Sequence, residues 1–409
     1  MSPPPPMSDE TSSGLPELMP LPYHDQVVRY LRTEEPDVWR WACSAQAREE
    51  HAAEVRASLL KETYRLDAEA HQELHALCAA AAGALGLDVP VTLYQAGDGR
   101  MNAALYYLPG EAHVVLQGPV LERLKGPELQ ALLGHELAHH LLWSRDGGIY
   151  HAADRILTAT VNDPRAGDSH RQTARRFALY TELFADRGGA VACGDLSAAV
   201  AALVKVQTGL SGVSAASYLR QADEVCGPAA TVSGATTHPE EFVRARALRL
   251  WCERDPDADA WTASVLQGPL ATATLDLVGQ QRLTNLTERV VGQLLKPRCL
   301  RSDGLLAHAR QFFPGFVPAD ADDAPLAADV AAAPGVHAYV SAVLMDFSVA
   351  DRGLDDVPLA AAFDLARRLG VAETFERDVS KDLRVPKRRL AKLRQDAARL
   401  LAEAEAAHG

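Results

Sequence analysis

The feature that most constrains this chain is one short stretch, residues 135–139, with the sequence HELAH. Residues four apart lie on one face of a helix, so both imidazoles can reach a single metal ion. The glutamate beside them is placed to take a proton from a metal-activated water. Pro127 at a first helical position and leucines at helical spacing favour a helix that stops near the glycine pair 147–148. We therefore expect a buried active-site helix; the alternative is an amphipathic helix with two half-buried histidines.

A second helix offers a third ligand, which a catalytic zinc site needs beside one open position. Glu182 and Asp186 lie four residues apart on a predicted helix over 173–191, among large apolar residues. A carboxylate in such surroundings needs a partner, because an unpaired buried charge is costly. Zinc would partner Glu182, and Asp186 could then accept a hydrogen bond from a ligand histidine. The alternative is a helix with two solvated acids.

Two further segments lie before and after these two helices in the sequence. Asn102 and residues 113–116 precede the first helix, and Thr237-His238-Pro239 is followed by Arg244. The four segments together resemble the gluzincin metallopeptidases of the HtpX-like and CAAX-prenyl-protease family, metallopeptidase family forty-eight. The resemblance runs from about residue 87 to 251.

The resemblance implies a zincin-type catalytic domain and a soluble zinc-dependent endopeptidase. His135, His139 and Glu182 would bind Zn2+, and Glu136 would act as general base on the metal-activated water. The substrate would be a protein or peptide, and the fold would be mainly α with a small β-sheet beside the active-site helix.

The same analogy gives roles to residues outside the two helices. His238 would stabilise the tetrahedral oxyanion, and Arg244 would support it or position the substrate. The alternatives are a loop histidine and a solvated cation. His140 would point about 100° away from the ligand histidines on the helix, and His151, beyond the glycine pair, is expected at the surface.

A short apolar strand precedes the zinc helix. In the resembled family such a strand is an edge that pairs with an extended peptide through main-chain hydrogen bonds. We therefore expect substrate-binding residues here, and the alternative is an internal strand covered on both sides; the residues are Asn102, Val114, Val115 and Leu116.

Composition limits the classes of function. The chain has 409 residues, 47% of them hydrophobic, with 41 basic and 54 acidic residues and a formal charge of -13. The acidic balance argues against general nucleic-acid binding. Six scattered cysteines without a CxxC pair are typical of reduced thiols in a cytoplasm. No apolar stretch is long enough for an integral membrane segment, unlike the membrane-embedded members of the family, and the proline-rich start does not resemble a signal peptide.

The predicted organisation has three parts. Residues 1–20 form a flexible proline-rich tail, 21–254 the metallopeptidase domain, and 260–409 a helical accessory domain after an aspartate-rich boundary. Residues 336–379 resemble the TerB-like tellurite-resistance module. The accessory domain is expected to restrict access or to recruit a protein partner.

The C-terminal region carries two charged features. Four acids around one predicted turn, Asp346, Asp351, Asp355 and Asp356, could gather a divalent cation, although capping and solvated aspartates are the favoured interpretation. A basic helix over 387–394 could bind an acidic partner or the protein's own acidic face, or simply be solvated. The alternative functions are a zinc-containing scaffold or stress-response adaptor, and more weakly a DNA-binding regulator.

Overall fold

The computed structural model describes residues 14–44, 46–97, 99–227, 232–321 and 323–408. It is mainly helical, with 68% helix and 6% strand, which confirms the expected mainly α class with a small sheet. The chain divides into two compact units, Met1–Ala166 with Thr173–Gly268, and Gly167–Gln172 with Pro269–Gly409.

The elements of the first unit run from Pro22 to Leu266. They are α1 (Pro22–Glu34), α2 (Pro36–Ala42), α3 (Gln46–Glu62), β1 (Tyr64–Arg65), α4 (Gln72–Ala84), β2 (Val91–Gln95), β3 (Asn102–Leu108), β4 (Glu111–Gln117), α5 (Val120–Arg123), α6 (Pro127–Ser144), α7 (Ile149–Asn162), α8 (Asp168–Cys193), α9 (Leu196–Thr208), α10 (Ala215–Val225), α11 (Glu241–Cys252) and α12 (Ala258–Leu266). The first residues of α8 belong to the second unit.

The predicted domain boundary at 255–259 is wrong. Helix α12 packs against α11, so the aspartate-rich segment is the turn between these helices and the start of α12. Both lie inside the first unit, which extends to Gly268. An acidic, proline-containing stretch marks a turn, but it does not distinguish a turn between packed helices from a linker between domains.

The sheet has the strand order β1-β2-β4-β3. Strand β4 pairs in parallel with β2 and antiparallel with β3. Strand β4 is therefore internal, with a neighbouring strand on each side. Its apolar residues Val114, Val115 and Leu116 are at most 2% exposed. The expectation that they form a substrate-binding edge is wrong. The long free edge of the sheet is β3, which begins at Asn102.

Helix α6 begins and ends where the sequence predicts. Gly126 has φ 51 before Pro127, and a turn with Asp146 at φ 51 and two left-handed glycines separates the end of α6 from α7. Helices α9 and α10 are separate because Gly209 ends α9 in a left-handed conformation with φ 72.

Small residues let α6 and α8 cross closely. A Cβ on Gly134 would fall on the Cβ of Ala192, and a Cβ on Gly188 would fall on that of Ala138. A Cβ on Gly189 would lie 2.8 Å from the carbonyl oxygen of Ala131. Larger side chains at these three glycines would push the two backbones apart, so the glycines set the distance between the two motif-bearing helices.

The segment before α1 packs on the first unit. Leu15 and Leu18 lie against its apolar core. Arg145 donates to the carbonyl oxygen of Leu18 at 3.1 Å, and Arg254 donates to that of Gly14 at 2.9 Å. The expectation of a flexible tail is therefore wrong for residues 14–20, while residues 1–13 lie outside the described residues.

The second unit is a helical assembly around one apolar core. Its helices are α13 (Leu277–Leu294), α14 (Asp303–Phe312), α15 (Ala324–Ala331), α16 (His337–Val349), α17 (Val357–Arg368), α18 (Ala372–Asp382) and α19 (Lys387–His408). Among the described residues, no lone helix has the length and apolarity to cross a membrane; the pair Ala324–Ala331 and Pro334–Val349 meets that test together but bends by 94°.

Candidate metal centre and cleft

A cleft of about 810 Å³ opens in the first unit. Its walls come from the free strand β3 and from helices α6, α7, α8, α9 and α11. The candidate metal ligands of both sequence motifs line this cleft. The two motifs therefore contribute to one open site.

Three side chains converge at the α6–α8 crossing. Nε2 of His135 lies 3.6 Å from Oε2 of Glu182, and Nε2 of His139 lies 3.6 Å from Oε1 of the same carboxylate. One ligand atom from each residue lies within 4.8 Å of the others. In the described part of the chain, this is the one group of three or more such side chains that could hold a metal ion.

A carboxylate fixes the orientation of the first histidine. Oδ1 of Asp186 lies 3.1 Å from Nδ1 of His135, so Nε2 of that ring is left to face Glu182. Arg244 in turn donates two hydrogen bonds to Asp186, at 2.8 and 2.6 Å. Burial alone would raise the pKa of Asp186, but the charge of Arg244 and the contact with His135 hold that pKa well below its usual range.

The donor set suits a divalent cation. Oε2 of Glu182 is buried, and within the described segments it has no hydrogen-bond partner. Burial lowers the pKa of His139 to about 4, so that ring is neutral near pH 7. Against the effect of burial, the contacts with Asp186 and Glu182 raise the pKa of His135, and that ring would give up its proton on binding a metal ion. Imidazole nitrogens and a carboxylate oxygen are the donors that zinc takes in catalytic sites, so the donor types of these residues fit the metal that the sequence implies.

Glu136 is buried beside the ligand residues. Burial raises its pKa to about 7, and the negative charge of Glu182 adds to the rise. The charges of His135 and Arg244 and a hydrogen bond with the backbone of Leu105 partly offset it. A carboxyl group with a pKa near neutrality can both accept and release a proton at physiological pH.

The two residues after α10 that the sequence singles out reach the same cleft in different ways. His238 is 58% exposed, with Nε2 3.6 Å from Oε1 of Glu182. Arg244 is buried, and its guanidinium faces Asp186 and, at 3.4 Å, Glu182. The contacts of Arg244 therefore favour a positioning role over direct contact with a substrate.

The other histidines lie outside the ligand group. His140 is buried, with its ring 4.9 Å from that of Tyr107, in line with its expected direction. His151 is half-buried rather than at the surface, because its ring packs 4.5 Å from Tyr107 in a second, smaller cavity of about 260 Å³. Asn102, at the start of β3, lines the main cleft as expected of a substrate-binding residue.

Sequence reasoning missed several cleft residues. Trp143, one turn after His139, and Asp154 of α7 both line the cleft. The α9 side of the cleft is mostly apolar, formed by Ala199, Ala202, Leu203 and Val206 together with one polar residue, Gln207. None of these belongs to a motif; the sole available signal was the position of Trp143 on the same helical face as the ligand histidines.

The acids of the second unit are used in local contacts. Asp346 lies 2.6 Å from Nε2 of His308, and Asp351 accepts from the hydroxyl of Ser302 at 2.6 Å. Asp356 accepts from Arg389 of the basic helix at 2.7 Å. Asp351 is a cap, as the favoured interpretation expects, whereas Asp346 and Asp356 pair with basic side chains instead of being solvated. Part of the basic helix thus contacts the protein's own acidic residues.

Comparison with known proteins adds no relative. No protein-family model matches the sequence, and a search of curated proteins finds no match. The assignment of a function consequently depends on the motifs and on the geometry of the cleft.

Proposed function

We propose that the first unit is a zincin-type catalytic domain and that the protein is a zinc-dependent endopeptidase. The observation that carries the proposal is the convergence of His135, His139 and Glu182 in an open cleft, with Asp186 behind the first histidine and Glu136 beside the group. A structural zinc site would need neither the open cleft nor a general base.

His135, His139 and Glu182 would hold the zinc ion. Bound zinc would polarise a peptide carbonyl and make a water acidic enough to ionise near pH 7. Glu136 takes the proton of the attacking water and passes it to the leaving amine.

Two residues complete the proposed machinery. The half-exposed ring of His238 lies close enough to Glu182 to donate a hydrogen bond to the developing oxyanion of a bound substrate. Arg244 holds Asp186 and Glu182 in place. Arg244 is thus a positioning residue, and we do not assign it a contact with the substrate.

The substrate proposed is an extended peptide segment. The free edge of β3 lines the cleft from Asn102 to Leu105, next to Glu136. An extended peptide can add to this edge through main-chain hydrogen bonds, which depend little on side chains. Unfolded or loop segments would therefore be cleaved in preference to compact domains.

The test compares wild type with Glu136→Gln, and Glu122→Gln on the exposed surface of α5 serves as the matched control. Zinc per chain and cleavage of casein are measured for all three proteins. We expect bound zinc in all three and cleavage in wild type and the control alone. Zinc without cleavage in any of them would favour the zinc-bearing scaffold, and absence of zinc after reconstitution would refute the metal centre.

A further inference from the structure

The two ends of the cleft differ in chemistry. The lining residues of α6 run from Ala131 to Trp143, a distance of about 18 Å at a rise of roughly 1.5 Å per residue. The beginning of α6 lies against α9, where Lys205 pairs with Glu128 and Ala131 packs in an apolar cluster. Small apolar side chains of α9 therefore form one end of the cleft.

The other end contains an unused acid. Trp143 at the end of α6 lies 6.0 Å from the ring of His151, and Asp154 follows His151 by one turn of α7 and lines the cleft. The first two lining residues of α8, Ala178 and Thr181, are small and uncharged. Throughout the described segments, no hydrogen bond or ion pair joins Asp154 to another residue.

An unpartnered acid such as Asp154 costs free energy in the protein without a bound ligand. Burial raises the pKa of Asp154 to about 6, and no neighbouring charge contributes to the shift. The carboxylate is mostly ionised at pH 7 and has no cation beside it. A ligand that brings a positive charge to this end would recover the missing interaction.

We propose that Asp154 forms a subsite for a cationic side chain, lysine or arginine, of the peptide substrate. The apolar end at α9 accepts neutral side chains on the other side of the metal centre. The inference depends on the proposed peptidase function. It narrows the substrate class to segments with a basic residue a few positions from the scissile bond, since an extended strand covers about 18 Å with roughly five to six residues.

The first test measures binding without turnover. Zinc-loaded Glu136→Gln protein is titrated into short acetylated, fluorescein-labelled peptides that carry one lysine at successive positions, or norleucine at the same positions. At one position we expect lysine to bind about tenfold more tightly than norleucine. The preference should disappear in the double variant Glu136→Gln/Asp154→Asn and persist in Glu136→Gln/Asp88→Asn, which removes an exposed acid outside the cleft. Equal binding of both peptide series, or binding of neither, overturns the proposal.

The second test separates this proposal from the peptidase function. Cleavage sites in casein are mapped by mass spectrometry for wild type, Asp154→Asn and Asp154→Lys. For the wild type, basic residues should be enriched at one subsite of the cleaved sequences. This enrichment should disappear for Asp154→Asn. For Asp154→Lys, acidic residues should be enriched at the same subsite. An unchanged site pattern refutes the role of Asp154 alone, whereas a zinc-loaded wild type that cleaves nothing refutes the peptidase function.

Discussion

Acidic side chains gather in both units, but they are used differently. In the first unit, Glu182 and Asp186 are buried. The carboxylate of Glu182 faces two imidazoles, one at each oxygen, and its Oε2 has no hydrogen-bond partner in the described segments. In the second unit, Asp351 and Asp356 lie near the surface, and each already accepts hydrogen bonds from neighbouring groups. A metal centre therefore depends on donors that remain unsatisfied and converge, more than on the number of acids near one another in sequence.

The comparison is tested most strongly by removing one acid from each unit. Glu182→Gln should weaken zinc binding by more than about 100-fold, because even residues that only support metal ligands are worth up to that factor. Asp356→Asn should leave the zinc content unchanged, since its partner is Arg389. Zinc per chain after dialysis against a weak chelator measures both. Equal zinc loss in the two variants would show that the acids of the second unit also hold metal.

The arginine partners of these acids provide the second test. Arg244→Met leaves two buried carboxylates without their cation, so we expect it to lower the free energy of unfolding by about 3 to 5 kcal/mol. Arg389→Met removes an arginine from a pair whose side chains are 58% and 40% exposed, and it should cost less than about 1 kcal/mol. Urea unfolding of the metal-free proteins measures both changes. Similar losses would show that burial does not distinguish the two pairs.

The sequence predicts the parts of the site that lie on helices with regular spacing. The ends of α6 follow from Gly126, Pro127 and the turn at Asp146, and the contact between Asp186 and His135 follows from two i, i+4 pairs. Such predictions succeed because helical periodicity alone decides which side chains share a face.

The sequence could not predict features that depend on how distant segments pair. The strand with Val114 is internal because β2 pairs with one of its sides, and periodicity does not reveal strand order. Asp154 has no motif, and its place in the cleft follows from the turn that leads from α6 into α7. The boundary at Gly268 depends likewise on the packing of α12.

The buried His24 of the first unit makes the stability of the protein depend on pH. Burial, with a contribution from the charge of Arg187, lowers the pKa of His24 to about 3. The unfolded chain takes up a proton below about pH 6.5 and the folded protein does not, so stability is complete above pH 6.5 and is lost as the pH falls toward 3. We expect a loss of about 2 kcal/mol between pH 7 and pH 5 from this residue.

Urea unfolding at several pH values tests this expectation. His24→Gln should flatten the dependence on pH below 6.5, whatever its effect at pH 7. His308→Gln in the second unit, where the imidazole pairs with the half-exposed Asp346, should change the stability by less than about 1 kcal/mol. An unchanged slope in His24→Gln would mean that other groups cause the acid sensitivity.

The smallest expected effect concerns the backbone that brings the ligands together. A methyl group at Gly188 would fall on the Cβ of Ala138 in the buried α6–α8 crossing, whereas one at Gly304 would meet the carboxylate of Asp351 at 2.8 Å. A helix in a packed core cannot move without cost, and the Asp351 carboxylate can turn away from position 304 only by losing its hydrogen bonds with Ser302 and Gly353. Gly188→Ala should cost roughly 1 to 2 kcal/mol and reduce zinc affinity, because Glu182 and the two ligand histidines lie on opposite sides of the crossing. Gly304→Ala should also lower stability, but it should leave zinc affinity unchanged, because no ligand residue lies beside it. If Gly188→Ala lowers stability but leaves zinc affinity unchanged, the ligand side chains adjust to the wider crossing, and the glycines serve packing rather than the metal centre.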